Sequence, residues 1–339
     1  MPLWIKLSLP LALLCLSGCA SYVADEITSL KAPSIPGNLD ELTQSKSICD
    51  EQGHCVGVFT LAPSTTATST SLKYVVKVNE NHKVWRYVRK KNEYGTQKSP
   101  ANEVAIIFPG YGQPSEILAI MAEWLYLESG ADVLIIESAE KSEHFQFGLD
   151  SVSPIISMIN REQPKNVKLI GFSMGAVAAH AVAQHVENAE LHLVAPMTNF
   201  EQSALGVWNV LARDSYYRFF VSQETLKEAV GLVHQRAQLS PQDIDITRAA
   251  TNSATPAHIY ISSSDTVTPA QNWQGIKSKA WRLHEYPGLN HMEMVTLLQN
   301  DLFLTFAAHL LGKEPDASDI ATFGLMCDAD DEACMSQEL

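Results

Sequence analysis

Apolar residues along this chain form short, almost unbroken runs that are separated by longer amphipathic segments. Runs without polar alternation are typical of strands buried on both faces of a sheet. Five of them follow one another, at Val104–Phe108, Val133–Ile136, Val167–Ile170, Leu191–Val194 and His258–Ile261. Segments with helical periodicity lie between them, notably residues 116–128 and 152–161. Strands that alternate with helices predict an α/β fold in which a mostly parallel central sheet is flanked by helices.

The first hundred residues have a different pattern. Residues 56–61, 72–78 and 83–89 alternate or are rich in β-branched side chains, which predicts antiparallel strands at the start of the sheet. Residues 20–47 are polar and contain prolines, which favours a tether. We therefore divide the chain into a leader, a tether, one large domain with a cap inserted in it, and a tail with a cysteine pair, at residues 1–18, 19–48, 49–315 (cap about 197–255) and 316–339.

The pentapeptide GFSMG, at residues 171–175, lies where an apolar strand pattern changes into small residues typical of a helix start. A Gly-x-Ser-x-Gly at such a junction is the nucleophile-elbow pattern, in which a sharp turn exposes the serine at the end of a strand. The two glycines let the strand and the helix approach without Cβ clashes. Ser173 is therefore the candidate nucleophile. The amide of Met174, at the helix N-terminus, is a candidate donor to an oxyanion.

A serine hydroxyl needs a base, and the base needs a group that orients it. Asp265 follows one strand pattern, and His291 follows the next, at residues 281–286, in the turn before a helical pattern over 293–311. In an elbow-type site the order along the chain is serine, acid and histidine, which these residues satisfy. Ser173, Asp265 and His291 are therefore the candidate catalytic triad.

Other residues compete for these roles. His144 lies in a loop after a strand, but it precedes the serine, which contradicts the expected order. His284 lies within a strand pattern, which favours a packed or exposed strand residue. Asp243 and Asp245 lie in a polar stretch that is typical of a solvated loop or a helix cap.

Residues 100–312 resemble the α/β-hydrolase superfamily of serine esterases, lipases and aminopeptidases. The resemblance rests on GFSMG, on SSDTVTP around Asp265, on GLNHMEM around His291, and on FPGYG at residues 108–112. It implies the α/β-hydrolase fold with a helical cap, and a second oxyanion amide from the loop at 108–112. The family often has His-Gly-x there, whereas this chain has Pro-Gly-Tyr. By position, the resemblance assigns that amide to Tyr111.

The resemblance also implies an activity. The chain is expected to be a serine hydrolase that cleaves a carboxylic ester of a small-molecule or lipid-like acyl substrate through an acyl-enzyme, without a cofactor. Thioesterase and serine aminopeptidase activities are alternatives. An idle hydrolase fold that serves as an envelope binding protein is an alternative of another class. Aromatic residues of the cap either pack it onto the core or line an apolar pocket.

Residues 1–18 contain one basic residue and then an apolar stretch that is too short to span a membrane, which is typical of a signal peptide. The sequence LSGC at residues 16–19 resembles a bacterial lipobox. That resemblance implies cleavage before Cys19 and several acyl chains on it, which make a stable membrane anchor. Because Ala20 rather than Asp follows, it also implies the outer membrane of the cell envelope, facing the periplasm or the surface. An ordinary secretory signal is the alternative.

The net charge of −14 becomes −15 if residues 1–18 are removed, since Lys6 is their one charged side chain. An acidic chain is a poor partner for nucleic acid or for an anionic membrane surface, because both attract cations. We therefore expect no nucleic-acid partner and a membrane contact through the lipid anchor.

Four cysteines remain after residue 19, and an even number in an oxidising compartment predicts two disulfides. Close spacing favours the pairs Cys49–Cys55 and Cys327–Cys334, although three connectivities are possible. Neither pair has the Cys-x-x-Cys spacing of zinc sites, so we expect no metal site.

Overall fold

The computed structural model describes residues 19–29, 42–61, 69–78, 81–90, 102–211, 221–297, 299–314, 325–328 and 332. The strands, in chain order, are β1 (Thr43–Cys49), β2 (Cys55–Leu61), β3 (Ser69–Val78), β4 (Asn81–Lys90), β5 (Glu103–Phe108), β6 (Asp132–Ile136), β7 (Asn166–Phe172), β8 (Ala189–Val194), β9 (Ala257–Ile261), β10 (Trp281–Glu285) and β11 (Leu325–Asp328). The helices are α1 (residues 19–28), α2 (Ser115–Ser129), α3 (Val152–Glu162), α4 (Gly175–Ala183), α5 (Phe200–Leu211), α6 (Gln223–Ala237), α7 (Thr247–Ala250), α8 (His291–Thr296) and α9 (Asn300–Leu311).

A central sheet of eight strands has the order β1-β2-β6-β5-β7-β8-β9-β10. The six strands β5–β10 are parallel to one another, whereas β1 and β2 are antiparallel to their neighbours. The five apolar runs correspond to β5–β9, which confirms the mostly parallel sheet. Because parallel strands end at one edge, the loops that follow β7, β9 and β10 lie along the same edge of the sheet.

Each central strand divides its side chains between two apolar clusters. In β5, Ile106 and Phe108 pack with residues of α3 and α4, whereas Ala105 and Ile107 pack with residues of α2 and α9. A sheet covered by helices on both faces needs apolar residues at successive positions, which explains the unbroken runs. The predicted arrangement of a sheet flanked by helices is confirmed.

The hairpin β3–β4 differs from the prediction. It pairs with β11 in a separate three-stranded sheet instead of beginning the central one. Strands β1 and β2 form that edge of the central sheet, and the hairpin packs on α2 instead. The hairpin buries Trp85 and Tyr87 with residues of α2, and the Tyr87 hydroxyl donates a hydrogen bond to Glu123.

The tether expected over residues 19–48 also differs from the structure. Residues 19–28 are helical, and Thr43–Cys49 is a strand of the sheet. Apolar residues of α1 contact the core at the i, i+3, i+4, i+7 spacing of an amphipathic helix, namely Ala20, Val23, Ala24 and Ile27. The guanidinium of Arg236 in α6 lies 2.7 Å from Asp25 and 2.9 Å from the Ser21 hydroxyl. The prolines that suggested a tether lie outside the described residues.

The helix expected over residues 293–311 is two helices. Leu297 adopts a left-handed conformation with φ of 53°, which ends α8. The Gln299 side chain then accepts hydrogen bonds from the amides of Asp301 and Leu302 and begins α9. Two caps within four residues interrupt the continuous periodicity of the sequence.

The disulfide Cys49–Cys55 is present and closes the hairpin between β1 and β2. The second predicted disulfide, Cys327–Cys334, stays a prediction, because Cys334 and the side chain of Cys327 lie outside the described residues. Cys19 is an exposed free cysteine at the start of α1. Among the helices that the structure describes, none is both long and apolar enough to cross a membrane.

Candidate active site

Ser173 lies in a strained turn between β7 and α4. Its φ of 47° falls in the left-handed region, which non-glycine residues rarely adopt. The strand ends at Phe172 and the helix begins at Gly175, so only two residues separate the elements. This turn leaves the serine side chain partly exposed among buried neighbours. The nucleophile elbow that the sequence predicts is the local structure.

The two glycines of the elbow have no room for a side chain. A Cβ at Gly171 would lie 2.6 Å from the Cα of Ala176, and one at Gly175 would lie 2.3 Å from the carbonyl oxygen of Phe108. Both distances are far below van der Waals contact. Strand and helix therefore pack at a separation that only glycine permits, as expected from the sequence.

His291 joins the serine to an acid. Its Nε2 lies 3.1 Å from the Oγ of Ser173, and its Nδ1 lies 2.7 Å from the Oδ2 of Asp265. The side chain of His291 is 15% exposed and that of Asp265 is fully buried, so the carboxylate of this chain of contacts is shielded from solvent. The structure therefore brings together the three residues that the sequence predicted as a triad.

Asp265 is held by a turn of its own loop. Its Oδ1 accepts hydrogen bonds from the amides of Val267 and Thr268, and its Oδ2 accepts one from the Thr268 hydroxyl at 2.7 Å. Burial raises the pKa of this carboxyl, but the hydrogen bond and charge of His291 together with the donors of Thr268 outweigh burial and lower it below its usual value. Asp265 is therefore ionised at neutral pH. The sequence analysis missed Thr268, although a threonine three residues after an aspartate is a common local acceptor–donor pair.

The histidine loop is fixed at both ends. The Ser262 hydroxyl at the end of β9 donates to the carbonyl of Leu289 at 2.6 Å. Asn290 then begins α8 with a reciprocal capping box. The Asn290 side chain accepts a hydrogen bond from the Glu293 amide, and the Glu293 carboxylate accepts one from the Asn290 amide. His291 is consequently the first residue of a capped helix, at a fixed height above the strand ends.

The loop after β5 runs directly beside the serine. A Cβ at Gly110 would lie 3.3 Å from the Cβ of Ser173. The Gly110 amide donates to the Gln113 side chain at 2.8 Å, and Gln113 in turn donates to the carbonyl of Val295 in α8. Glu140 accepts from the Gly112 amide at 3.1 Å. These bonds position the loop that carries Tyr111, and sequence reasoning missed both Gln113 and Glu140.

Of the two predicted oxyanion donors, Met174 follows Ser173 in the chain, and Tyr111 lies in the loop whose Gly110 adjoins Ser173 in space. Met174 is the N-cap residue of α4, where amides of the first turn have no partner within the helix. Tyr111 follows Gly110 in the adjoining loop, and its hydroxyl donates to the carbonyl of Ile27 in α1. The ring of Tyr111 also contacts Phe145 edge-on at 5.9 Å. The loop is thus attached to the N-terminal helix on one side and to an aromatic cluster on the other.

The cap lies against the acid loop. A Cβ at Gly206 in α5 would lie 2.3 Å from the carbonyl oxygen of Thr266, so helix and loop are in backbone contact. Phe200 at the start of α5 contacts Phe147 at 4.9 Å and His234 of α6 at 5.8 Å. Phe200 therefore helps to pack the cap onto the domain. Residues 212–220 of the expected cap lie outside the described residues.

The competing residues lie elsewhere. His144 is exposed, and His284 packs among other histidines of the sheet. Asp243 accepts hydrogen bonds from Ser240, and Asp245 accepts them from Thr247, as capping residues do. Neither aspartate contacts His291 among the described hydrogen bonds.

Solved structures share this fold. The Pyrococcus furiosus esterase PF2001 superposes with a TM-score of 0.53 at 14% identity, over 84% of this chain and 97% of that one. Lower scores are found for a lipase-esterase related protein from Clostridium acetobutylicum ATCC 824 (TM-score 0.44, 14% identity, 66% and 97% covered) and for the carboxylesterase CesB from Bacillus subtilis (0.43, 11%, 70% and 90%). No family model matches the chain, and no curated protein matches it. The chain has the α/β-hydrolase fold.

Proposed function

We propose that this protein is a serine hydrolase that cleaves a carboxylic ester through an acyl-enzyme. The observation that carries the proposal is the continuous hydrogen-bond chain from the Ser173 hydroxyl through His291 to Asp265. In such a chain the imidazole accepts the serine proton while the carboxylate fixes its tautomer and stabilises the imidazolium. The low pKa of Asp265 keeps that carboxylate charged when the imidazolium forms.

Each step of the proposed reaction has a residue for it. The Ser173 oxygen attacks the acyl carbon, and His291 takes its proton. The amides of Met174 and Tyr111 donate hydrogen bonds to the oxyanion. His291 then protonates the leaving alcohol, and a water deprotonated by the same imidazole hydrolyses the acyl-enzyme. The proposal uses no cofactor.

The choice of a carboxylic ester rests on the fold likeness to an esterase. Thioester and peptide substrates use the same groups. Comparing p-nitrophenyl esters of graded acyl length with thioester and aminopeptidase substrates separates these classes. An idle envelope binding protein would hydrolyse none of them.

We also propose that Cys19 carries a lipid anchor that holds the enzyme at the bacterial cell envelope. The lipobox-like residues 16–19 and the exposure of Cys19 support this. In the described structure α1 ends at the Tyr111 loop, so the anchor would lie about 12 Å along the helix from Ile27, at 1.5 Å per residue. A lipid-like acyl substrate would then be within reach of the site. Mass spectrometry of the N-terminus tests the anchor, and an unmodified Cys19 in the native host would contradict it.

The decisive test of the activity is labelling with a fluorophosphonate probe, which reacts only with an activated serine. The wild-type protein should be labelled on the peptide that contains Ser173, and Ser173→Ala should be neither labelled nor active. Ser153→Ala is the matched control, because Ser153 is exposed on α3 and bonds Asp50 away from the site. Labelling of the Ser173→Ala protein would refute the assignment of the nucleophile.

A further inference from the structure

Four histidines and one carboxylate cluster on the face of the sheet that α9 covers. In the register of the sheet, His192 of β8 lies beside His258 of β9, and His284 of β10 lies beside Tyr260. Residues 258 and 260 point to the same face of β9, so the imidazoles meet under α9. His309 of α9 completes the group, with its ring 4.1 Å from that of His258 and 4.4 Å from that of His284.

Three of these imidazoles present nitrogens to one another. One nitrogen each of His258, His284 and His309 lies within 4.8 Å of the other two. The Nδ1 of His258 is 3.0 Å from the Nε2 of His284. Nitrogens that each lie about 2.0–2.1 Å from a tetrahedral zinc ion are about 3.3–3.4 Å from one another. The nitrogens of His258 and His284 would move slightly apart and that of His309 would adjust to reach this spacing.

The second nitrogen of two of these rings has a partner of its own. The Tyr260 hydroxyl lies 3.0 Å from Nδ1 of His309, which leaves Nε2 as the atom that His309 can offer. The Oε1 of Glu190 lies 3.8 Å from Nε2 of His258, on the side opposite to His284. Metal-binding histidines usually have a hydrogen-bonded oxygen at the second nitrogen, since it fixes the ring and the tautomer. Tyr260 is within that distance of His309, whereas Glu190 would have to move closer to His258 to play this part.

From this arrangement we propose that His258, His284 and His309 bind a divalent transition-metal ion of the Zn²⁺ class. Three imidazoles that leave one position for water suit zinc and its neighbours, whereas magnesium and calcium prefer oxygen ligands. The three rings are only partly buried, and β10 is the edge strand, so an ion can reach them from solvent. This proposal departs from the expectation of no metal site, which rested on the spacing of the cysteine pairs and did not consider these histidines.

Electrostatics of the cluster agrees with neutral, ligating rings. Burial lowers the pKa of His258 to about 3, with further lowering by the charges of His192, His309 and His284. Burial and the charges of His309 and Arg282 lower the pKa of His284 to about 4. A neutral imidazole has a free lone pair, which a metal needs.

The inferred ion has a structural role. It would join α9 to β9 and β10, the two strands that lead to Asp265 and His291. None of the three ligands contacts the triad in the described hydrogen bonds, so the ion takes no part in acyl transfer. Metal binding should therefore raise the melting temperature and leave ester hydrolysis almost unchanged.

The test is a titration of tag-free, chelator-treated protein with ZnCl₂ by calorimetry, beside melting curves. Wild-type protein should bind one equivalent and melt about 5 °C higher once zinc exceeds its Kd by about 100-fold. His284→Gln and His309→Gln should each weaken binding by about 100-fold or more, and Glu190→Gln by about tenfold, because it removes only an outer partner.

The control is His185→Gln, because His185 is exposed just beyond the end of α4, which packs on the face of the sheet opposite to α9. It should bind zinc as the wild type does. Absence of a bound equivalent in the wild-type protein would overturn the proposal, as would unchanged affinity in either ligand variant. Far-UV circular dichroism verifies that each variant is folded, and the two ligand variants lie on different elements, so misfolding of one leaves the other as a test.

Discussion

His291 and His258 occupy opposite kinds of surroundings in one molecule. His291 lies between a carboxylate at 2.7 Å and a hydroxyl at 3.1 Å, so its two nitrogens have fixed and different partners. His258 has another imidazole at 3.0 Å and a carboxylate only at 3.8 Å. The first arrangement lets a ring accept a proton and become a stabilised cation. The second places imidazole nitrogens face to face, an arrangement that a shared metal ion can bridge.

The difference arises from the elements that supply the partners. Asp265 is fully buried and receives hydrogen bonds from a turn that cannot move away from it. Glu190 is 36% exposed on a strand and lies beyond hydrogen-bond distance of His258. A carboxylate held by backbone amides at the end of a strand orients a base, whereas one at the rim of a histidine cluster offsets charge.

The largest expected effect comes from replacing His291 and His258, one at a time, with glutamine. His291→Gln should lower kcat by about 10⁴-fold or more, because the base of the triad is lost. His258→Gln should change kcat on a short ester by less than about twofold, since acyl transfer does not involve it. Steady-state kinetics on p-nitrophenyl acetate measures both.

The control for this pair is folding, followed by melting curves of both variants. A loss of activity in His258→Gln that equals the loss in His291→Gln would show that the two regions are not functionally separate. A His291→Gln protein with near-wild-type turnover would remove His291 from the mechanism.

The two regions were not equally visible in the sequence. Ser173, Asp265 and His291 each lie in a short loop with its own local signal, and a parallel sheet brings strand ends together whatever the helices do. The histidine cluster depends on the register of three neighbouring strands and on the position of α9. Neither register nor helix placement is encoded in a local pattern, so the sequence could not predict that His258 and His309 lie together.

The sequence predictions for the N-terminal region were wrong for two different reasons. The spacing of Ala20, Val23, Ala24 and Ile27 is a helical signal that was available, but small residues make a weak apolar stripe. The placement of the β3–β4 hairpin in a second sheet had no such signal. It follows from which sheet edge is already paired, which is a tertiary property.

A third histidine, His180, has surroundings of another kind, which make the stability of the fold depend on pH. His180 in α4 is buried in a T-shaped contact with Trp281, and burial alone lowers its pKa to about 4 from the usual value of 6.5. Because the folded-state pKa is below that of the unfolded chain, the unfolded chain binds more protons as the pH falls from 6.5 towards 4. His180 therefore contributes full stability above that window and progressively loses it within the window.

The expected loss between neutral pH and about pH 5 is about 2 kcal/mol in the free energy of unfolding. His180→Phe keeps the aromatic contact and should remove that part of the pH dependence. Urea unfolding at both pH values measures it, with His185→Gln as the exposed control. An unchanged pH dependence in His180→Phe would mean that other groups cause the loss.

The smallest expected effect concerns α1, which touches the catalytic region and not the histidine cluster. The ion pair of Arg236 with Asp25 is 41% and 65% exposed, and exposed pairs contribute about 0.2–1 kcal/mol. Arg236→Ala should therefore raise amide hydrogen exchange in residues 19–28 by less than about fivefold. Because Tyr111 bonds the end of α1, kcat should fall slightly, while zinc binding should not change.

Lys227→Ala is the matched control, because Lys227 lies on the same helix α6 and forms an equally exposed ion pair with Glu201 of α5, within the cap. Its loss should leave exchange in residues 19–28 unaltered. If both variants accelerate that exchange equally, the effect belongs to α6 as a whole rather than to the contact with α1. If Arg236→Ala alters zinc affinity as much as kcat, the helix couples the two regions, and the separation between the oriented base and the histidine cluster fails.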